Sequence, residues 1–243
     1  MSLRFDVLTI FPDLLTSPLE EGIIRRARQD GKIEVVITNI RDFATDKHAM
    51  TDDRPFGGGE GMVMKPEPLT AATNQVRGAG SGKVVLLSPQ GRRFDQKVAE
   101  EFAGLEQLIL VCGRYEGVDQ RYIDQQVDEE ISIGDYILTG GELGAMIIID
   151  AVTRLLPGVL GCAESVSGDT FSRGSLKYPQ YTRPRLFADQ EVPAILLSGD
   201  HAKIEQWRWL QAVTKTKNRR PDLFATMEFS GKERNLLKKH GII

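Results

Sequence analysis

The chain has 243 residues, of which 41% are hydrophobic and 27% charged, an ordinary globular composition long enough to bury a core in one large domain or two modest ones. No apolar run reaches the roughly 18 residues of a membrane span, and Met1–Asp6 lacks a basic region followed by an apolar stretch, so a secretory signal and a membrane location are both excluded as expectations. The formal net charge of −3 hides an asymmetry: residues 1–169 carry 17 Lys+Arg against 27 Asp+Glu, and residues 170–243 carry 14 against 7. A basic third in a near-neutral chain suits contact with nucleic acid, although a solvated helical surface reads the same way.

In chain order, residues 3–11 read as a strand. Ser17, Pro18 and Glu20 then propose a capping box opening a helix that Gly31 ends. Residues 33–40 are β-branched and strand-like, and 41–62 form a long glycine-rich loop. A helix over 67–77, a buried strand over 83–87 and a helix capped by Asp95 and running to Phe102 follow. QLILVC at 107–112 is a second buried strand, 119–125 a short helix, 127–133 a strand and 142–156 a helix. Strands alternating with helices give an α/β domain with a mainly parallel sheet, its central strands covered on both faces. Residues 157–173 lose apolar periodicity and crowd Gly and Ser, as a flexible linker does. Beyond it, Asp200 caps a helix to about Lys217, and Ser230–Glu233 form a second capping box. The expected division is therefore an α/β domain over 1–159, a linker over 160–173 and a small all-helical domain over 174–243.

Cys112 and Cys162, without CxxC spacing, read as reduced thiols of a cytoplasmic protein. The three histidines are scattered, so neither a zinc site nor a Ser–His–Asp arrangement can be built from them. The chemistry is sought instead in three glycine-bearing turns that follow strands, because ligands of α/β sheets sit beyond the carboxyl ends of the strands. The first is Ser88, Pro89, Gln90 and Gly91, directly after Leu87. The second runs through Gly113, Tyr115 and Glu116. The third comprises Ile133, Gly134, Asp135 and Tyr136, then Ile137, Leu138, Gly140 and Gly141. Together they read either as one pocket binding largely through the main chain or as three ordinary turns; singly, each reads as a turn. The run Pro55–Met62 lacks the Gly-Lys-Ser/Thr of a P-loop, and Glu60 would repel phosphate, so nucleoside triphosphate binding is rejected. Arg154 and Asp169 are unremarkable by position, since Asp150 is placed to pair with Arg154 and a linker acid is ordinarily solvated.

Longer motifs sharpen this. "SPQG" (88–91), "CGRYEGVDQR" (112–121) and "SIGDYILTGGEL" (132–143) resemble the cofactor-binding segments of the bacterial tRNA (guanine-N1)-methyltransferases, the TrmD family of the SPOUT superfamily. "DKHAMTDDRPFGGGEGMVM", "LPGVLG", "YPQYTRP" and "LLSGDHAKIEQWR" resemble it too, in the same order along almost the whole chain. Gly144, Phe56, Glu60, Thr170 and Lys177 depart from the family pattern.

The resemblance implies a deep trefoil knot in the α/β domain, which topology rules alone would have refused. It implies S-adenosylmethionine as methyl donor, held by the three turns, and a homodimer with its site at the subunit interface. The substrate is then tRNA with guanosine at position 37, methylated on N1. Asp169 becomes the general base for the N1 proton, and Arg154 the group that stabilises charge building on O6. Mg2+ stays a candidate cofactor with no visible ligand cluster. A linker that closes over a flipped base would deliver Asp169. Lys203, Arg208, Lys215, Lys217, Arg219 and Arg220 are the candidates for phosphate contact, with Trp207 and Trp209 read as core. The rival readings are a SPOUT enzyme acting on a ribose 2′-hydroxyl, a non-catalytic RNA-binding protein, and a small-molecule α/β enzyme.

Overall fold

The computed structural model describes residues 2–78, 80–161, 169–171 and 174–243. The chain divides into two compact units, Met1–Gly161 and Cys162–Ile243.

The first unit opens with β1 (Leu3–Thr9), which stops two residues short of the expected end: the Thr9 hydroxyl takes the Phe11 N–H at 2.9 Å, and Pro12 starts a 3-10 turn over Pro12–Leu15. The capping box expected at Ser17–Glu20 does not form. Thr16–Leu19 make a single turn, α1; the chain breaks at Glu20–Glu21 and restarts as α2 (Gly22–Gln29). Gly22 sits at φ +59, the left-handed region that interrupts a helix and that glycine adopts without penalty. There follow β2 (Ile33–Asn39), the two-residue strands β3 (Asp52–Asp53) and β4 (Val63–Met64), and α3 (Pro66–Arg77). The 41–62 loop is thus closed at its end by the β3–β4 pair.

Next come β5 (Lys83–Arg93), α4 (Gln96–Ala103), β6 (Gln107–Cys112), α5 (Gln120–Gln126), β7 (Glu129–Ser132) and α6 (Glu142–Thr153). The Asp95 carboxylate accepts the Val98 N–H at 3.0 Å, the cap the sequence predicts. Helix α6 ends three residues early because Leu155 and Leu156 close tighter three-residue turns onto Val152 and Thr153.

Five strands form one sheet in the order β2-β1-β6-β5-β7, every neighbouring pair parallel. Alternation sorts their side chains. Phe5, Val7, Val85, Leu87, Leu108 and Leu110 pack with α2, α4 and α6 on one face; Leu8, Val84, Leu86, Ile109 and Val111 pack with α3 and α5 on the other. Both faces of the central strands are dry, as a parallel sheet requires, while the edge strand β2 is only half-buried.

The expected strand 83–87 is longer than its apolar run. Leu87 and Arg92 both lie opposite Ile131, so Ser88–Gly91 leave the ladder as an excursion and β5 resumes for two residues against β7. Gly91 lies so close to β7 that a Cβ there would fall 2.3 Å from the carbonyl carbon of Glu130.

In the second unit the all-helical expectation is corrected by a hairpin, β8 (Leu186–Phe187) with β9 (Gln190–Glu191), and by a 3-10 turn over Ala194–Leu197. The helices are α7 (His201–Arg219), α8 (Pro221–Ala225) and α9 (Gly231–Lys239). Asp200 caps α7 and the Ser230–Glu233 capping box opens α9, both as expected. Leu210, Val213, Leu237 and Ile242 form the core here, with Trp209 against it, edge-on to Phe229 at 6.3 Å; Trp207 lies 6.4 Å from Tyr181.

Candidate functional site

The three glycine-bearing turns meet at the carboxyl ends of β5, β6 and β7. The Gly141 N–H donates to the Gly113 carbonyl at 3.0 Å, and Arg114 and Gly140 form an isolated antiparallel bridge. Gly141 is a point of close approach between main chains: a Cβ there would lie 2.7 Å from Cys112 Cα and 3.0 Å from Leu87 Cβ, so no larger residue fits between Leu87 and Cys112. Gly144 faces the Leu87 and Ile133 side chains, which brings the start of the third turn onto the first.

Within the turns, local bonds hold the backbone. Ser88 Oγ accepts the Gln90 N–H at 3.2 Å; the Ser132 hydroxyl donates to the Gly134 carbonyl at 3.1 Å; the Tyr136 hydroxyl donates to the Ile133 carbonyl at 3.3 Å. Tyr115 stands at φ +58, a strained conformation for a non-glycine residue and a mark of a backbone held for a purpose. Pro89, Gln90, Tyr115, Glu116 and Asp135 are exposed, as are the apolar Tyr136, Ile137 and Leu138, whereas Leu87 and Gly141 are buried behind them. The wall is dry and the rim offers apolar surface with two carboxylates.

The glycine-rich loop joins this site. The Glu116 N–H donates to the Met62 carbonyl at 2.9 Å, and Met64 bridges to Val118, so the far end of the 55–62 run lies along the second turn.

Behind the turns lies a network that the sequence reading did not single out, although Arg114 and Glu142 fall inside the quoted motifs. Glu142, at the first position of α6, is buried; it accepts the Thr9 hydroxyl at 2.6 Å and pairs with Arg114 at 2.9 Å. The Arg114 guanidinium lies 4.4 Å from the centre of the Phe11 ring. The end of β1, the second turn and the head of α6 are thereby tied together. Cys112 is buried beneath them, and desolvation, reinforced by the charge of Glu142, pushes its thiol pKa well above the usual range.

Arg154 caps the end of α6 and is half-buried. Its link to Asp150 runs through the backbone, N–H to carbonyl at 3.3 Å. Asp169 belongs to the second unit, where its carboxylate is bonded by Lys177 at 2.8 Å. Most of the expected linker, 162–168 with 172–173, lies outside the described residues. Among the described residues no cluster of His, Cys, Asp and Glu could hold a metal ion, and no helix is long and apolar enough to cross a membrane. A cleft of about 400 Å³ in the second unit, lined in part by Trp207, Lys217 and His240, contains none of the turn residues; the converging main chain and the strained Tyr115 make the turns the better candidate.

Comparison with known proteins points to one family. The family model described as tRNA (Guanine-1)-methyltransferase TrmD matches residues 3–226. A tRNA (guanine-N(1)-)-methyltransferase of Moorella thermoacetica is 55% identical over 240 residues, covering 98% of this chain and 96% of its own. One from Geobacter sulfurreducens is 52% identical over 236 residues, covering 97% and 96%. Among solved structures, the tRNA (m1G37) methyltransferase of Aquifex aeolicus superposes with a TM-score of 0.76 at 42% identity, covering 90% of this chain and 94% of that one.

Proposed function

The chain belongs to the tRNA (guanine-1)-methyltransferase TrmD family, and from that membership we propose that it transfers a methyl group from S-adenosylmethionine to N1 of guanosine 37 of tRNA. The observation that carries the reading is the junction of the three turns, Gly141 N–H on Gly113 O with Gly141 wedged between Leu87 and Cys112. Such a cradle fits the donor. Its backbone amides and carbonyls suit an adenine edge, Tyr136, Ile137 and Leu138 offer apolar surface for the base and the methylene groups of the methionine chain, and Glu116 and Asp135 can accept from ribose hydroxyls or face the sulfonium charge. When bound, the donor supplies an electrophilic methyl group; everything else falls to the chain.

Guanine N1 carries a proton and is a weak nucleophile. In our reading Asp169 accepts that proton as the methyl group arrives, help worth about 10²–10⁴-fold. The charge then building on O6 is met by Arg154. The flipped base must stand in line with the methyl group, roughly 3–3.5 Å away. The basic second unit grips the tRNA backbone, and the linker delivers Asp169. We also read the first unit as the trefoil knot of the family. In support, the chain leaves β7 at the sheet edge, crosses the ends of β5 and β6, and descends as α6 against β6, β1 and α4. The working form is a homodimer in a cytoplasmic setting, with the site at the subunit interface.

The test is a methylation assay on tRNA transcripts differing only at nucleotide 37, run with the wild type and Asp169→Ala. Product restricted to guanosine 37 and mapped to N1, lost in Asp169→Ala while S-adenosylmethionine still binds, is the expected result. Methylation of a ribose hydroxyl, or full turnover by the variant, contradicts it.

A further inference from the structure

The described parts of residues 169–177 are bonded onto α7. The Leu176 N–H donates to Thr216 Oγ1 at 2.9 Å, and Lys215 Nζ donates to the Lys177 carbonyl at 3.2 Å. Thr216 is itself buried and fixed, its hydroxyl donating to the Ala212 carbonyl at 2.7 Å. Inside the segment, the Phe171 N–H donates to the Ser175 carbonyl and the Gly174 N–H to the Phe171 carbonyl. Phe171 stands at φ +74 with the Arg220 guanidinium 5.8 Å from its ring. A left-handed phenylalanine persists only where its surroundings over-determine it, so this is a held conformation.

Lys177 closes the arrangement twice. Its backbone N–H donates to Thr170 Oγ1 at 3.2 Å, and its ammonium lies 2.8 Å from Asp169 Oδ1. The two charged side chains are 34% and 24% exposed, so the pair is screened less than a surface pair and is stronger for it. The lysine reaches Asp169 from a backbone that is itself anchored to α7 through Leu176 and Lys215.

We infer that Lys177 is a positioning residue for Asp169, holding the carboxylate at a fixed place on the second unit so that the base arrives at the guanine already oriented. This rests on the reading of Asp169 as the general base. A base works only within hydrogen-bond reach of its proton, and a misplacement of about 1 Å can cost 10²-fold in rate. An aspartate beside a glycine- and serine-rich segment would otherwise sample many orientations; one ion pair from a lysine whose backbone is tied to α7 removes most of them.

The experiment uses the full chain, with saturating S-adenosylmethionine and a guanosine-37 transcript. Lys177→Met keeps the apolar stem and removes the charge. It should lower kcat by about tenfold or more, with little change in KM for tRNA or in Kd for S-adenosylmethionine. Lys177→Arg, which can span the same gap, should restore most of the rate. In an Asp169→Asn background Lys177→Met should add no further loss, since its effect passes through Asp169. A Lys177→Met enzyme turning over at or above the wild-type rate beside an inactive Asp169→Asn enzyme overturns the inference. So does a rise in KM with kcat unchanged, which would make Lys177 a tRNA contact, and so does a rate that Lys177→Arg leaves depressed. If Asp169→Asn itself keeps full turnover, it is the assignment of the base that fails.

Discussion

Tyr122 shows how much a single residue can decide without announcing itself in the sequence. It is a fully buried phenol between α3 and the second face of the sheet, 2.7 Å from the Thr73 hydroxyl. Burial pushes its pKa up from 10.0 to about 12. Because the folded value lies above the unfolded one, the stabilisation is fully present below pH 10 and is lost as pH rises through about 12. A rise from 10.0 to about 12 corresponds to at most about 3 kcal/mol. Urea denaturation of the wild type at pH 9 and 11.5 should show most of that loss, about 2 kcal/mol, and Tyr122→Phe, which has nothing to ionise there, should show a flatter dependence; equal slopes would refute the assignment. Asp6 is likewise a buried carboxylate inside β1, bonded by Arg4 at 2.8 Å and by Gln107 at 2.7 Å. A hydrophobic pattern, of period two on a strand or 3.6 on a helix, says which face a residue takes, but not whether a polar group on that face finds partners, and so neither residue was legible. The turn residues were legible because glycine at a strand end is a local signal, whereas Arg114 and Glu142 pair across 28 positions.

That pair governs an element. Glu142 opens α6, where a carboxylate also complements the helix dipole, and its side chain is only 2% exposed beside an Arg114 at 14%. Removing one member of such a pair leaves the other buried and uncompensated, at a cost of about 3–5 kcal/mol. Glu142→Ala should lower the unfolding free energy by that order in chemical denaturation and weaken S-adenosylmethionine binding, because the head of α6 no longer holds Gly140 and Gly141 against the second turn. Adding Arg114→Met to Glu142→Ala should recover part of the stability but not the binding. A single variant as stable as the wild type would show that the pair is incidental. Elements were legible where their signals are local: the caps at Asp95, Asp200 and Ser230, and the apolar runs of β5 and β6. They were misread where tertiary contact decides. The excursion at Ser88–Gly91 depends on β7 receiving Arg92 and Arg93, and the break before α2 on a left-handed Gly22 that a capping-box pattern conceals.

At the scale of the whole molecule the uneven charge is the strongest feature, and the structure alters how it should act on tRNA. Of the six cations expected to meet phosphate, Lys203 is paired with Asp200 at 2.9 Å, Arg208 with Glu205 at 2.5 Å and Arg220 with Asp222 at 2.5 Å. Lys215 and Lys217 donate to the carbonyls of Lys177 and Ile242. The Arg220 guanidinium holds the Asp222 carboxyl down to about 2, so that partner is charged at any working pH. A cation already neutralised by a carboxylate contributes little counterion release. The logarithm of tRNA affinity against the logarithm of salt concentration should therefore fall with a slope of about −2 to −4, shallower than six unpaired contacts would give. Asp222→Asn releases Arg220 and should steepen the slope by about one while tightening binding at low salt. Filter binding of the full chain between roughly 50 and 200 mM salt measures both, within the range where phosphate contacts dominate. A flat dependence would remove the second unit from the tRNA backbone altogether. An Asp222→Asn slope identical to the wild type would remove Arg220 from the contact set and leave the grip to cations elsewhere on that unit.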